Sequence, residues 1–387
     1  MKGIGDHRYV AVVLPYDDKL KIDEAAYRRF LQYFLKQPRF VRDGGFCINP
    51  EAGEIFYLTR QEKRRVLEIA MEEAKGKVPI IAGTWAITTD ETVETAKDAK
   101  AMGVDGIFVT PPGGAQDVTS CWDADQYPEI WLDQIIAQDR AVDLPIVTHP
   151  VGGAKPPFNP GLPLGATMRI CREVPNIVGW KMTYMYEGFQ IIANGLRSLD
   201  RHVAVMGALA SRFHEYRATG NFDGTLSGFW NFALEPMLDH LEAWDNNDVV
   251  RATKIWNGGL HQLHDYVADM GRLHIRYKTA TWLRGLIPSP FMRSPMPKPQ
   301  QQEIETLYRL MQALNLPLID LKDFCLWGGA GGMGRRPTSR QRSALTDGFI
   351  PQCNSSASVF PRCGSQPSRY HCTVPNGRFC RLGRACP

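Results

Sequence analysis

Short apolar runs alternate with stretches of helical period along the first 230 residues. Runs that read as strands lie at 9–14, 45–49, 78–84, 106–111, 144–149, 177–183, 202–207 and 224–229. Between them, "LTRQEKRRVLEIAMEEAKG" opens on a capping box from Thr59 to Glu62 and puts Val66, Ile69, Ala70 and Ala74 on one face. "TTDETVETAKDAKAMG" repeats the device with Thr88 and Glu91 and stops at Gly103. Eight such units predict a (β/α)8 barrel, a fold of ~250 residues. A doubly wound open sheet is the alternative, and the count of eight favours the barrel.

After Phe229 the strand pattern stops and four amphipathic stretches follow, so residues 231–318 are expected to form a C-terminal helical appendage on a barrel of residues 1–230. Nothing in them repeats at a fixed period, which argues against a solenoid. Residues 319–387 differ in kind. From Phe324 onward there are nine Arg, no Lys and one Asp, a charge of +8, so the rest of the chain carries 4 − 8 = −4. This tail is rich in Ser, Gly, Pro and Cys and has no hydrophobic period, so it is expected to be disordered or non-native. Its "GAGGMG" lacks the strand and helix of a dinucleotide fingerprint, and its six cysteines contain no C-x-x-C pair for zinc. Aromatic residues are too sparse among its arginines for a nucleic-acid tail.

Composition, with 44% hydrophobic and 22% charged residues, is that of a soluble globular protein. No stretch reaches the ~20 apolar residues needed to span a bilayer. Asp6, His7 and Arg8 stand where a signal peptide needs its apolar core, so a cytoplasmic protein without membrane or nucleic-acid partners is expected.

One residue breaks the pattern. Lys181 sits inside "NIVGWKMTY", flanked by Ile177, Val178, Trp180 and Met182 in a run that reads as a strand buried on both faces. Burying an ammonium ion is costly, so such a lysine finds a partner or gives up its proton. A free amine can attack a carbonyl, and the iminium formed acts as an electron sink. The bland alternative is a structural lysine that snorkels to solvent or pairs with a carboxylate.

"LPIVTHP" followed by "VPNIVGWKMTY", and preceded by "VPIIAGTWAITTDETVETAKDAKAMGVDGIFVTPP", resembles the dihydrodipicolinate synthase and N-acetylneuraminate lyase family. The resemblance runs from about Arg8 to Leu316 and leaves the tail outside. It implies a (β/α)8 barrel, usually a homotetramer, in which Lys181 forms a Schiff base with a small carbonyl substrate, with no cofactor and no metal. Substrate-lining positions are then expected at Ala52, Gly53, Thr84, Thr110 and Leu226.

The departures from the family pattern carry the specificity. The two hydroxyl residues that hold a keto acid's carboxylate in the family fall on Glu51 and Ala52. Its strand-five tyrosine falls on His149, a second tyrosine falls near Gly113, and the arginine after strand five is matched only by Lys155, one position further on. A histidine titrates nearer neutral pH than a tyrosine, so His149 can serve as acid and base. A carboxylate at Glu51 repels a keto acid's carboxylate unless it turns away, is protonated, or meets a substrate with a different group there. "HQLHDY" offers His261 and His264 one helical turn apart beside Asp265, but no third metal ligand, so they are expected on a helix surface.

The expectation is a Schiff-base lyase (aldolase, hydro-lyase or condensing enzyme) using Lys181, His149 and Glu51. The alternatives are an acid/base barrel using Glu51 and His149 alone, or a non-catalytic ligand-binding relative. For the tail, cutting near Asp320 is expected to leave melting temperature and activity nearly unchanged. A fall of more than a few degrees, about 1 kcal/mol or more, would show that the tail packs.

Overall fold

The computed structural model describes residues 2–152 and 155–321 and the short strands Phe324–Cys325 and Gly334–Arg335. The tail expected at 319–387 therefore lies almost wholly outside the described residues. Eight parallel strands close into a barrel: β1 (Arg8–Ala11), β2 (Gly44–Ile48), β3 (Ile80–Gly83), β4 (Gly106–Val109), β5 (Ile146–Thr148), β6 (Ile177–Met182), β7 (Ala204–Gly207) and β8 (Gly224–Ser227). Closure occurs at β1, where Arg8 pairs with Gly44 of β2 on one side and Thr225 of β8 on the other. The (β/α)8 fold expected from the eight runs is the fold observed.

The helix signals act locally as expected. At Arg60–Ala74 the Thr59 hydroxyl accepts from the Glu62 N–H (3.2 Å) and the Thr59 N–H donates to the Glu62 carboxylate (2.9 Å), the reciprocal box. Its face of Val66, Ile69, Ala70 and Ala74 is buried against the barrel. At Thr89–Met102 only half the device forms. The Thr88 hydroxyl accepts from the Glu91 N–H, but the Glu91 carboxylate meets that same hydroxyl rather than the backbone. Gly103 ends that helix at φ +78°, in the left-handed region that suits glycine.

Among the described residues the helices after β8 share one hydrophobic core with the barrel. Asn231, buried at the start of the helix Trp230–Asp245, makes the junction. Its amide oxygen accepts from Val13 N–H (3.1 Å), and its NH2 donates to Ala11 O (2.8 Å) and Gly228 O (2.7 Å). The side chain thereby ties the end of β1 to the loop after β8 through three backbone groups. Among the described residues no helix is long and apolar enough to cross a membrane.

One expectation is corrected here. His264 does not decorate a helix surface: it is 1% exposed and packs against Phe229 and Trp256. A π-turn, Trp256–Leu260, precedes its helix. The extra residue of such a turn rotates everything downstream, and the His264 side is carried inward. No three-ligand group forms there. The one cluster of that kind among the described residues is Asp6, His202 and Asp223, where Asp223 is already held by Arg197 and the Val205 N–H.

A buried ion pair joins the barrel to the C-terminal helices. Glu54, in the left-handed region at φ +64°, accepts from Lys278 Nζ at 2.6 Å on one oxygen and from the Arg293 N–H at 2.9 Å on the other. Both side chains of the Glu54–Lys278 pair are 0% exposed. Lys278 Nζ also lies 3.9 Å from the centre of the Tyr16 ring, whose face attracts a cation. Removing one partner leaves a buried charge uncompensated, so Glu54→Gln or Lys278→Met is expected to lower unfolding free energy by about 3–5 kcal/mol. The double variant Glu54→Leu with Lys278→Met should lose less than the sum of the singles. Denaturant melts measure both, and single variants within about 1 kcal/mol of wild type would contradict this role for the pair.

Candidate active site

A cavity of about 310 Å3 opens where the strands end on their C-terminal side. Lys181 enters it from β6, His149 from just beyond β5, Leu226 and Ser227 from β8, and Glu51 and Ala52 from the turn after β2. Each is placed by its element. In β6 the side chains alternate, so Lys181 faces the barrel's interior while Trp180 faces the helices. Trp180 packs there against Trp131 and donates to the Tyr184 hydroxyl at 3.0 Å. His149 extends the β4–β5 ladder, its N–H donating to Val109 O at 2.8 Å, and its ring stacks on Phe108. Glu51 stands on a single 3-10 turn, Glu51–Gly53. Gly53 is required there, because a Cβ would come within 2.8 Å of Val12 O.

Three ionisable groups meet in this cavity. Lys181 Nζ is 3.1 Å from His149 Nε2, and His149 Nδ1 is 3.1 Å from Glu51 Oε2 without hydrogen-bond alignment. Burial brings the Lys181 amine down to about 8, with the charges of Glu51 and Cys47 opposing the shift. Desolvation raises the Glu51 carboxyl, opposed by Lys181. His149 is pushed well below its ordinary value by burial and by the lysine's charge, so its imidazole is neutral near pH 7. When Lys181 donates to Nε2, the ring hydrogen sits on Nδ1, toward Glu51. The arrangement can hold a free amine, move protons beside it and exclude water from both.

The structure brings together Lys181, His149, Glu51, Ala52 and Leu226 around one space. It does not bring Thr84, Thr110 or Gly53 to the cavity wall. The Thr84 hydroxyl is buried and donates to Gln138 at 2.6 Å, on a helix outside the barrel. Thr110 is buried with its hydroxyl unpartnered, and Gly53 serves the turn. Lys155 is engaged by Asp123 and lies outside the lining.

Among the lining residues not expected from the sequence, two carry ionisable groups from beyond the barrel strands and face the nucleophile's cavity. His274 and Tyr277 reach the cavity from the helix Leu273–Leu283, beyond the last strand. Their spacing with Lys278 in "LHIRYK" puts three polar groups on one helix face, which is a readable signal. Which end of the barrel that face meets is not readable locally. Arg272, also at the wall, is committed to Glu303 through Nε (2.8 Å) and a second nitrogen (2.5 Å). No cofactor-binding fingerprint precedes any of these residues.

Comparison with known proteins agrees with the barrel fold. An uncharacterized DapA-like lyase of Thermofilum pendens is 24% identical over 303 residues, covering 77% of this chain and 94% of its own length. An N-acetylneuraminate lyase of Escherichia fergusonii is 33% identical over 102 residues, 26% of this chain and 33% of that enzyme. The crystal structure of dihydrodipicolinate synthase from Aquifex aeolicus superposes with a TM-score of 0.68 at 22% identity, over 81% of this chain and 100% of that one. The model of the Dihydrodipicolinate synthetase family matches residues 7–314, and the chain belongs to that family.

Proposed function

We propose that this chain is a Schiff-base-forming lyase whose nucleophile is Lys181, cleaving or forming a carbon–carbon or carbon–oxygen bond next to a carbonyl group. The observation that carries this reading is the Lys181 amine, half-buried in the strand-end cavity 3.1 Å from His149 Nε2 and brought down to about 8 by desolvation. About a tenth of the amine is then free at pH 7, whereas an exposed lysine near 10.4 is almost wholly protonated.

The residues divide the work as follows. Lys181 Nζ adds to the substrate carbonyl and water leaves, giving an iminium. His149, neutral and 3.1 Å from Nζ, accepts and returns the protons of that addition and of the later hydrolysis. Glu51 lies close enough to balance the positive charge of the iminium, as its charge already acts on the Lys181 ammonium. The iminium then draws electrons from the neighbouring bond, and this is the step that cleaves or condenses. Apolar neighbours, Ala11, Ala52 and Leu226 among them, keep bulk water from the imine.

A reactive ketone plus borohydride is expected to add one ligand mass to the peptide holding Lys181, and Lys181→Arg should abolish it, because a guanidinium stays protonated. Trapping should rise with pH and level off above about 8, since the free amine is the reactive form. Glu51→Gln removes a charge that raises the lysine's pKa, so it should move this midpoint down. Intact mass and peptide mapping read both effects. Labelling that survives Lys181→Arg, or maps elsewhere, would end this reading.

The carboxylate of Glu51 shapes the substrate class. It lines the cavity rather than turning away, at the position where the family resemblance implies hydroxyls for a keto acid. At an effective dielectric near 20, two charges ~4 Å apart repel by about 4 kcal/mol. A quarter of that is roughly a fivefold loss in binding. Pyruvate should therefore be trapped poorly by the native protein and several-fold better by Glu51→Thr with Ala52→Thr, the gain shrinking as salt rises. Efficient pyruvate trapping by the unmutated protein at neutral pH would sink this part of the proposal.

A further inference from the structure

His149 is the acid/base group that the strands supply, and each of its nitrogens faces an ionisable neighbour. Nε2 meets Lys181 and Nδ1 meets Glu51, each at 3.1 Å. It is thus placed for protons on the amine and on departing water. The carbon next to the imine must also lose or gain a proton in any reaction that passes through an enamine, and this needs a second base facing the substrate.

Glu51 faces His149 Nδ1 and balances the lysine's charge, and the other candidates at the cavity wall are committed or too weak as bases. The Ser227 hydroxyl donates to Ala208 O at 2.7 Å. Arg272 is held by Glu303 and by Lys298 O. The Tyr277 hydroxyl is kept protonated by burial, opposed by Ser227 and assisted by the charge of Glu51. Thr183 has an unpartnered buried hydroxyl, but an aliphatic hydroxyl is too weak a base at neutral pH.

His274 differs from all of these. It stands in the first turn of the helix Leu273–Leu283, outside the eight strands, and lines the same cavity as Lys181 and His149. No side-chain hydrogen bond links it to another described residue, and its recorded ring contact is with Tyr277, centroids 5.8 Å apart. Burial, and after it the Lys181 ammonium, bring its imidazole down to about 4. Near pH 7 it is a neutral imidazole with uncommitted nitrogens, sharing a space of about 310 Å3 with the nucleophile.

We infer that His274 is a second catalytic acid/base of this site, supplied from the C-terminal helices, which takes and returns the proton on the carbon adjacent to the Schiff base. The inference rests on the Schiff-base reading of Lys181 and deepens it. The step balances as follows. The ketone, the free Lys181 amine and one proton from solvent, relayed by His149, give the iminium and water, and the adjacent C–H bond then breaks. Its proton goes to His274, and its electron pair forms the enamine C=C as the C=N electrons return to nitrogen. Delivery of a proton from the imidazolium to the same carbon restores the iminium, and water releases ketone and free lysine. No oxidant or reductant takes part.

Acetone is a suitable probe, being uncharged and small. Wild-type full-length protein in D2O is expected to exchange the methyl protons of acetone, followed by proton NMR, and Lys181→Arg should abolish exchange. His274→Ala should slow exchange by roughly 10²-fold, the lower end of what a positioned acid/base contributes. Borohydride trapping of acetone on Lys181 should meanwhile change by less than about twofold, because it reads the imine and not the proton on carbon. Added free imidazole should recover part of the exchange in His274→Ala, which a residue that only shapes the wall would not allow. Exchange in His274→Ala that stays close to wild type, or falls in step with trapping, would overturn the assignment. Trapping without exchange in the wild type would overturn it too, leaving Lys181 as nucleophile intact. No trapping on Lys181 in the wild type would remove both readings together.

Discussion

The buried contact between Glu54 and Lys278 is the constraint around which the site is built. Two opposite charges with no exposure sit at 2.6 Å, one on the turn after β2 and the other on the helix Leu273–Leu283. Neither charge is tolerable there alone, so turn and helix must arrive together. Three residues before Glu54 is Glu51, and one and four residues before Lys278 are Tyr277 and His274. The pair that joins the two segments therefore also sets the two walls between which Lys181 opens. Arg293 extends the clamp, its N–H on Glu54 and its guanidinium on Glu62 at 2.7 Å.

Within that frame the chemistry follows from desolvation. The barrel withdraws Lys181 partly from water, and the lysine's two close neighbours set how far its proton is loosened. His149 is neutral and adds hydrogen bonding without charge. Glu51 is acidic and restrains the fall, leaving the amine at about 8 rather than lower. The same carboxylate acts on whatever enters the cavity. Reactivity and substrate preference are thus coupled through one residue that differs from the family pattern.

Much of the architecture was legible residue by residue. The eight apolar runs, the Thr59–Glu62 box and the stop at Gly103 are local signals, and local physics decides them. Lys181 was legible for the same reason, as a charge inside an apolar run conflicts with its surroundings and calls for explanation. Thr84 and Thr110 were read from strand ends alone, and a strand end does not say which way a side chain turns. Thr84 turns outward to Gln138, a partner 54 residues away. His264 was misplaced because a π-turn shifts helical phase without leaving any mark in the apolar pattern.

By itself the sequence determined the eight βα units, the buried lysine on the sixth, and the departures at Glu51 and His149, since each depends on neighbours a few positions away. Only the tertiary structure decided that His149 lies between Lys181 and Glu51, and that a helix some ninety positions beyond Lys181 brings His274 and Tyr277 to the same cavity. Those juxtapositions rest on barrel closure at β1 and on the Glu54–Lys278 contact across 224 positions. Such long-range pairings are chosen by the total burial and charge balance of the folded chain, which no window of sequence contains.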